Sequence, residues 1–143
     1  MVTADAPDQY IVRPVGIVRS TLRSREDAPN QAFEGAPGAL IEIDPAFAAA
    51  LHRIEAGDEL IVLTWLHLAD RDVLKTHPTG DPNRPLTGVF RTRSSERPNP
   101  IGVHRVTVIA REGPTGLRVG ALEAIDGTPI VDLKVAMRES PEA

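Results

Sequence analysis

The segment Arg97-Pro98-Asn99-Pro100 places two prolines two residues apart. That spacing excludes helix and strand alike, because proline lacks an N–H and restricts the residue before it. Other breaks have the same effect. Pro78, Pro82 and Pro85 make residues 70–87 a long loop, and residues 21–38 are polar and rich in turn formers, a second long loop. Short β-branched runs remain between these breaks. Residues 39–43 and 88–92 read as short strands. Residues 59–69 read as a longer strand, buried on both faces for part of its length. Residues 102–111 and 117–124 read as a pair joined through a Gly-Pro-Thr-Gly turn, and residues 129–135 as a last strand after the Asp126-Gly127 turn. Residues 10–20 carry Pro14 and Gly16 and read as an edge or bulged strand. One short helix is expected, with Asp44 as cap, Pro45 in the first helical position and apolar spacing through AFAAALHRI. About seven strands and one helix make the fold mostly β. Closure into a small single-domain β-barrel with long loops removes the exposed edges. Residues 10–137 are expected to form this domain, with 1–9 as an extended or disordered N-terminus and 138–143 as a C-terminal tail.

Composition narrows the chemistry. Cysteine is absent, which excludes disulfides, thiolate catalysis and zinc–thiolate sites. His52, His67, His77 and His104 show no metal-ligand spacing, so no metal is expected. No apolar run approaches the roughly 18 residues that would span a membrane. The polar, acidic start does not resemble a secretory signal, and a cytoplasmic protein is expected. Aromatic residues are 3% of the chain, few for a surface that reads nucleic acid by base stacking. The net charge of −4 hides an asymmetry: Arg84, Arg91, Arg93, Arg97, Arg105 and Arg111 stand against one acid, Glu96, in 28 residues. Such a stretch is either a solvated face or a site for a carboxylate or phosphate, which a planar guanidinium grips bidentately.

Several segments are candidates for function. In GVFRTRSSERPNPIG, residues 88–102, the two prolines fix the backbone around Asn99, with Arg93 and Arg97 on either side. In Asp126-Gly127-Thr128-Pro129, backbone groups of the turn can meet an adenine edge or an amino-acid head. The Asp126 carboxylate can accept from a ribose hydroxyl or an ammonium, although Asp-Gly is also a common hairpin turn. Period-2 alternation puts Trp65 and His67 on one face of a strand. Dinucleotide, Walker, nucleophile-elbow and zincin motifs are all missing. Schiff-base chemistry has only Lys75 and Lys134 to draw on.

These residues resemble a known family. GVFRTRSSERPNPIG is similar to the GVFATRSPFRPNPIG-like signature of the TrmO (TsaA-like) methyltransferases. IDGTPIVDLK, residues 125–134, is similar to that family's LDGTPVLDIKPY-like segment, and PVGIVRS, residues 14–20, to its PIGVIRSP-like opening. Pro29-Asn30-Gln31 stands where the family has a PRQ-like tripeptide, and Leu66-His67 where a family strand ends in Phe-His. The resemblance runs in order over about residues 10 to 135.

It implies a small β-barrel that works as a homodimer and binds S-adenosylmethionine near the subunit interface. The activity it implies is N6-methylation of threonylcarbamoyladenosine at position 37 of tRNA. Carried over by motif, the cofactor residues are Asn30, Gln31, His67, Leu68, Arg93, Val103, Ile125, Asp126, Gly127 and Thr128. Arg97 and Asn99 are expected to face the substrate. His67, Asn99 and Asp126 are the candidates to accept or orient the proton that leaves the methyl acceptor. The chain departs from the family at Ser95-Glu96, where Pro-Phe is usual, and at Val135-Ala136, where Pro-Tyr is usual. These departures bear on tRNA as substrate. A small metabolite, another modified nucleoside, or binding without turnover are the alternatives.

Overall fold

The computed structural model describes residues 8–24 and 35–137. Asn30, Gln31, most of the expected N-terminal extension and the tail at 138–143 lie outside the described residues. Six antiparallel strands close a barrel: β1 (Gly16–Arg19), β2 (Gly38–Ile43), β3 (Glu59–Trp65), β6 (Ile101–Glu112), β7 (Gly116–Ala121) and β8 (Pro129–Val135). Their order around the barrel is β1-β2-β7-β6-β3-β8. A two-stranded ribbon, β4 (Lys75–Thr76) with β5 (Thr87–Gly88), stands outside it.

Alternation builds the core. Along β6, Gly102, His104, Val106 and Val108 are buried while Ile101, Arg105, Thr107 and Ile109 are exposed. Val18, Ile41, Val62, Leu117, Val119 and Ile130 meet these residues inside the barrel. Each such branched side chain contributes about 1.5–3 kcal/mol by leaving water. On β3, Leu60, Ile61 and Val62 are all buried, as expected for a strand covered on both faces.

Four expectations need correction. The strand expected at 59–69 stops at Trp65. Leu66 to Ala69 turn instead, closed by Ala69 N–H on the Leu66 carbonyl at 2.9 Å, so Trp65 and His67 share no strand face. Only Thr87–Gly88 of the strand near 88–92 forms. Val89–Arg91 is a 3-10 turn because Thr92 bonds back to the Val89 carbonyl through both N–H and hydroxyl. β1 is not an edge: it pairs with β2 on one side and β8 on the other, and Pro14 lies before it. The helix is a 3-10 helix, Pro45–Leu51, capped as expected by Asp44 Oδ1 accepting from Ala46 N–H. It ends earlier than its apolar run, with Leu51 buried in the core. Among the described residues, no helix is long and apolar enough to cross a membrane.

The antiparallel order sorts the loops by end. One end gathers the exits of β1, β3 and β7 and the entries of β2, β6 and β8. The GVF–RPNP segment, the Leu66-His67-Leu68 turn and the DGTP turn all lie at that end, and the 3-10 helix lies at the other.

Candidate functional site

The RPNP loop is folded onto the turn that follows β3. Leu66 N–H donates to the Pro100 carbonyl at 2.8 Å, and Arg97 N–H to the Asp70 carbonyl at 3.1 Å. Asp70 N–H donates to the Glu96 carboxylate. Arg71 completes the join. Its Nε donates to the Pro98 carbonyl at 2.6 Å and its Nη2 to Asn99 Oδ1 at 3.0 Å, with the guanidinium 5.1 Å from the Trp65 ring centroid. Glu96, one of the departures from the family pattern, is thus a brace within the loop.

Arg97 builds the same loop from inside. Its Nη1 donates to the carbonyls of Thr92 and Ser94 at 3.1 and 2.9 Å, and its Nη2 to that of Val89 at 3.0 Å. The arginine-rich stretch therefore does not form one patch. Arg105 pairs with Glu59 on β3 at 2.8 Å, and Arg111 reaches the carbonyls of Leu51 and Ile54 at the opposite end. Arg93 is exposed beside the RPNP loop.

The second segment, Ile125 to Thr128, is pinned to β1. Gly127 N–H donates to the Val18 carbonyl at 2.7 Å, and Val18 N–H to the Thr128 carbonyl at 2.9 Å. Thr128 is buried, with its hydroxyl on the Ile125 carbonyl at 2.8 Å. Asp126 holds the start of the first long loop: Oδ1 accepts from Ser20 N–H at 3.0 Å and Oδ2 from Arg23 at 3.1 Å. Gly127 has φ 84°, and among the described residues no atom beyond its chain neighbours lies within 4 Å of the position a Cβ would take.

His67 and Leu68 are exposed in their turn, and Asn99 is exposed with its carbonyl on Arg71. Val103 is half-buried on β6 opposite Leu63, with a side chain that alternates with the inward Gly102 and His104. His67, Leu68, Arg93, Asn99 and Ile125 to Thr128 thus belong to loops at one barrel end. Arg71, whose contacts join two of these segments, was not singled out from the sequence, where no motif marks it. His104 also gave no signal beyond its place on an alternating strand. It is buried, bonded to Thr64 on one side and Glu123 on the other.

The donor set suits a nucleoside carrying an amino acid. It offers an exposed arginine for a carboxylate and, at the same barrel end, the backbone of the Ile125–Thr128 turn and the exposed His67.

Comparisons with known proteins identify the family. Residues 17–140 match the family described as tRNA-methyltransferase O N-terminal domain. A probable S-adenosyl-L-methionine-binding protein of Methanothermobacter thermautotrophicus is 42% identical over 123 residues, covering 86% of this chain and 87% of that protein. An S-adenosyl-L-methionine-binding protein of Archaeoglobus fulgidus is 39% identical over 132 residues, covering 92% and 91%. The crystal structure of TrmO from Pseudomonas aeruginosa superposes with a TM-score of 0.72 at 27% identity, over 92% of this chain. The chain spans 57% of that solved chain, and 61% of another TrmO chain with a TM-score of 0.74. The chain belongs to the TrmO family, matching its N-terminal domain.

Proposed function

We propose that this protein binds S-adenosylmethionine across the loop end of the barrel and transfers its methyl group to N6 of threonylcarbamoyladenosine at position 37 of tRNA. The observation that carries the reading is the convergence of the Leu66-His67-Leu68 turn, the RPNP loop and the Ile125–Thr128 turn at one barrel end. The relatives of matching length, named as S-adenosylmethionine-binding proteins, support the choice of ligand.

S-adenosylmethionine supplies a sulfonium-activated methyl group when bound. The chain's own work is alignment, since a positioned nucleophile gains much of the barrier reduction that proximity offers. Arg93 holds the methionine carboxylate. The Ile125–Thr128 backbone and the Leu66–Leu68 turn flank the adenosine, and the family resemblance adds Asn30, Gln31 and Val103 to the residues that bind the cofactor. Asp126 acts by tying that turn to Ser20 and Arg23. Asn99 and Arg97, the latter through the loop that its guanidinium braces, present the substrate. The exposed His67 takes the acceptor's proton, with Asn99 and Asp126 as the other candidates for that role. The protein works as a homodimer with the site near the interface, and a tRNA substrate puts it in the cytoplasm.

A second reading, binding without turnover, is favoured by the names of the relatives, which record binding alone. Incubating the protein with S-adenosylmethionine and tRNA lacking this methyl group separates the two. Methylated nucleoside and stoichiometric S-adenosylhomocysteine support the enzyme, and binding with neither product supports the module.

A further inference from the structure

Inside the barrel, directly beneath the loop end, lies a polar chain in an otherwise aliphatic core. His104 Nε2 is 2.7 Å from Thr64 Oγ1, and His104 Nδ1 is 2.5 Å from Glu123 Oε1. Thr64 is fully buried, and the side chains of His104 and Glu123 are 6% and 13% exposed. An ionised carboxylate only accepts, so Nδ1 carries a proton toward Glu123. Nε2 then accepts from the Thr64 hydroxyl when the ring is neutral and donates to it when the ring is charged, so the chain of bonds persists in either state.

The backbone makes room for this arrangement. Gly102 pairs with Thr64 across the β3–β6 ladder. A Cβ there would lie 2.4 Å from Thr64 Oγ1 and 2.7 Å from His104 Nε2. Burying three polar groups where aliphatic residues would pack gains little stability, because desolvation offsets much of what the bonds contribute. What such a chain does supply is direction. Thr64 stands two residues before Leu66 and Glu123 two residues before Ile125, so His104 spans the bases of both segments that flank the proposed ligand.

We infer that His104 is a positioning residue: through Thr64 and Glu123 it sets the spacing between the Leu66–Leu68 turn and the Ile125–Thr128 turn, and with it the affinity for S-adenosylmethionine. This rests on the ligand reading given above. Thr64→Val removes the hydroxyl at nearly constant shape, and Thr64→Ser keeps it. The expected result is about a tenfold rise in the S-adenosylmethionine dissociation constant for Thr64→Val and restoration to within about threefold by Thr64→Ser. Equal affinity in the two variants, with tight binding by the wild type, overturns the inference. Amide hydrogen exchange of the unliganded proteins reads the brace independently of the ligand. Faster exchange at Leu66, His67, Gly127 and Thr128 in Thr64→Val, reversed in Thr64→Ser, is expected even if the wild type binds no S-adenosylmethionine. Unchanged exchange at these amides in Thr64→Val refutes the brace.

Discussion

Arg71 holds Asn99: its Nη2 donates to Asn99 Oδ1 at 3.0 Å while its guanidinium packs on Trp65. Through this contact a residue in the turn after β3 sets the conformation of the RPNP loop 28 positions later. Arg71→Ala is expected to lower methyl transfer by between about ten- and a hundredfold, because the loop proposed to present the substrate is displaced. Arg71→Lys should restore little, since one ammonium cannot span Pro98 and Asn99 while stacking on the indole. Steady-state rates of both variants check this, and wild-type turnover in Arg71→Ala would remove the residue from the account.

Gly102 is held small by its neighbours. Gly102→Ala forces the added methyl against Thr64 and His104, both buried. A loss of about 1–3 kcal/mol in folding stability is expected, as for other overpacked cores. Chemical denaturation measures it. A variant as stable as wild type would mean that β3 and β6 separate at this point more easily than their register suggests.

Much of the barrel is legible in the sequence, because alternation and proline breaks report directly on which residues face inward. β8 forms at Pro129–Val135 as expected, and the RPNP segment stays out of regular structure. Misreadings fall where a side chain outvotes local pattern. Val89 continues an apolar run, yet its carbonyl is taken by Thr92 and by Arg97 Nη2, and the chain turns there. Arg97 looks like a ligand group because a guanidinium beside prolines has the right chemistry. Its fork also builds the loop, a role that no local pattern announces. The His104 chain joins residues 40 and 19 positions apart, and no local pattern encodes such a contact.

The hairpin of β6 and β7 carries a pH-dependent element far from the site. Arg118 donates to both oxygens of Glu112, at 2.7 and 3.1 Å. The hydrogen bond from Arg118 holds the Glu112 carboxyl below the usual glutamate range. A carboxyl so depressed stabilises the fold above its unfolded-state value, and that contribution disappears as pH falls through the folded value. Glu112→Gln should therefore melt slightly below wild type at neutral pH, and the gap should close as the pH falls below the ordinary glutamate value of about 4.3 and through the lower folded-state value, the gap being small because the pair is exposed. A gap that widens on acidification contradicts the pairing.

Arg93 has the chemistry to hold the methionine carboxylate, and it is exposed at the loop end. Arg93→Ala is expected to weaken S-adenosylmethionine binding by about 1.5–3 kcal/mol, the range for a hydrogen-bonded charge. Affinity for 5′-methylthioadenosine, which lacks the amino-acid head, should not change. Equal losses for both ligands would place Arg93 elsewhere in the site.

Calorimetric titration of the purified protein with S-adenosylmethionine and S-adenosylhomocysteine tests the central claim most directly. Saturable binding with a dissociation constant of about micromolar order is the predicted result, equivalent to roughly 8 kcal/mol. A folded protein that releases or absorbs no binding heat at any temperature tried, and gains no thermal stability from either ligand, would contradict it.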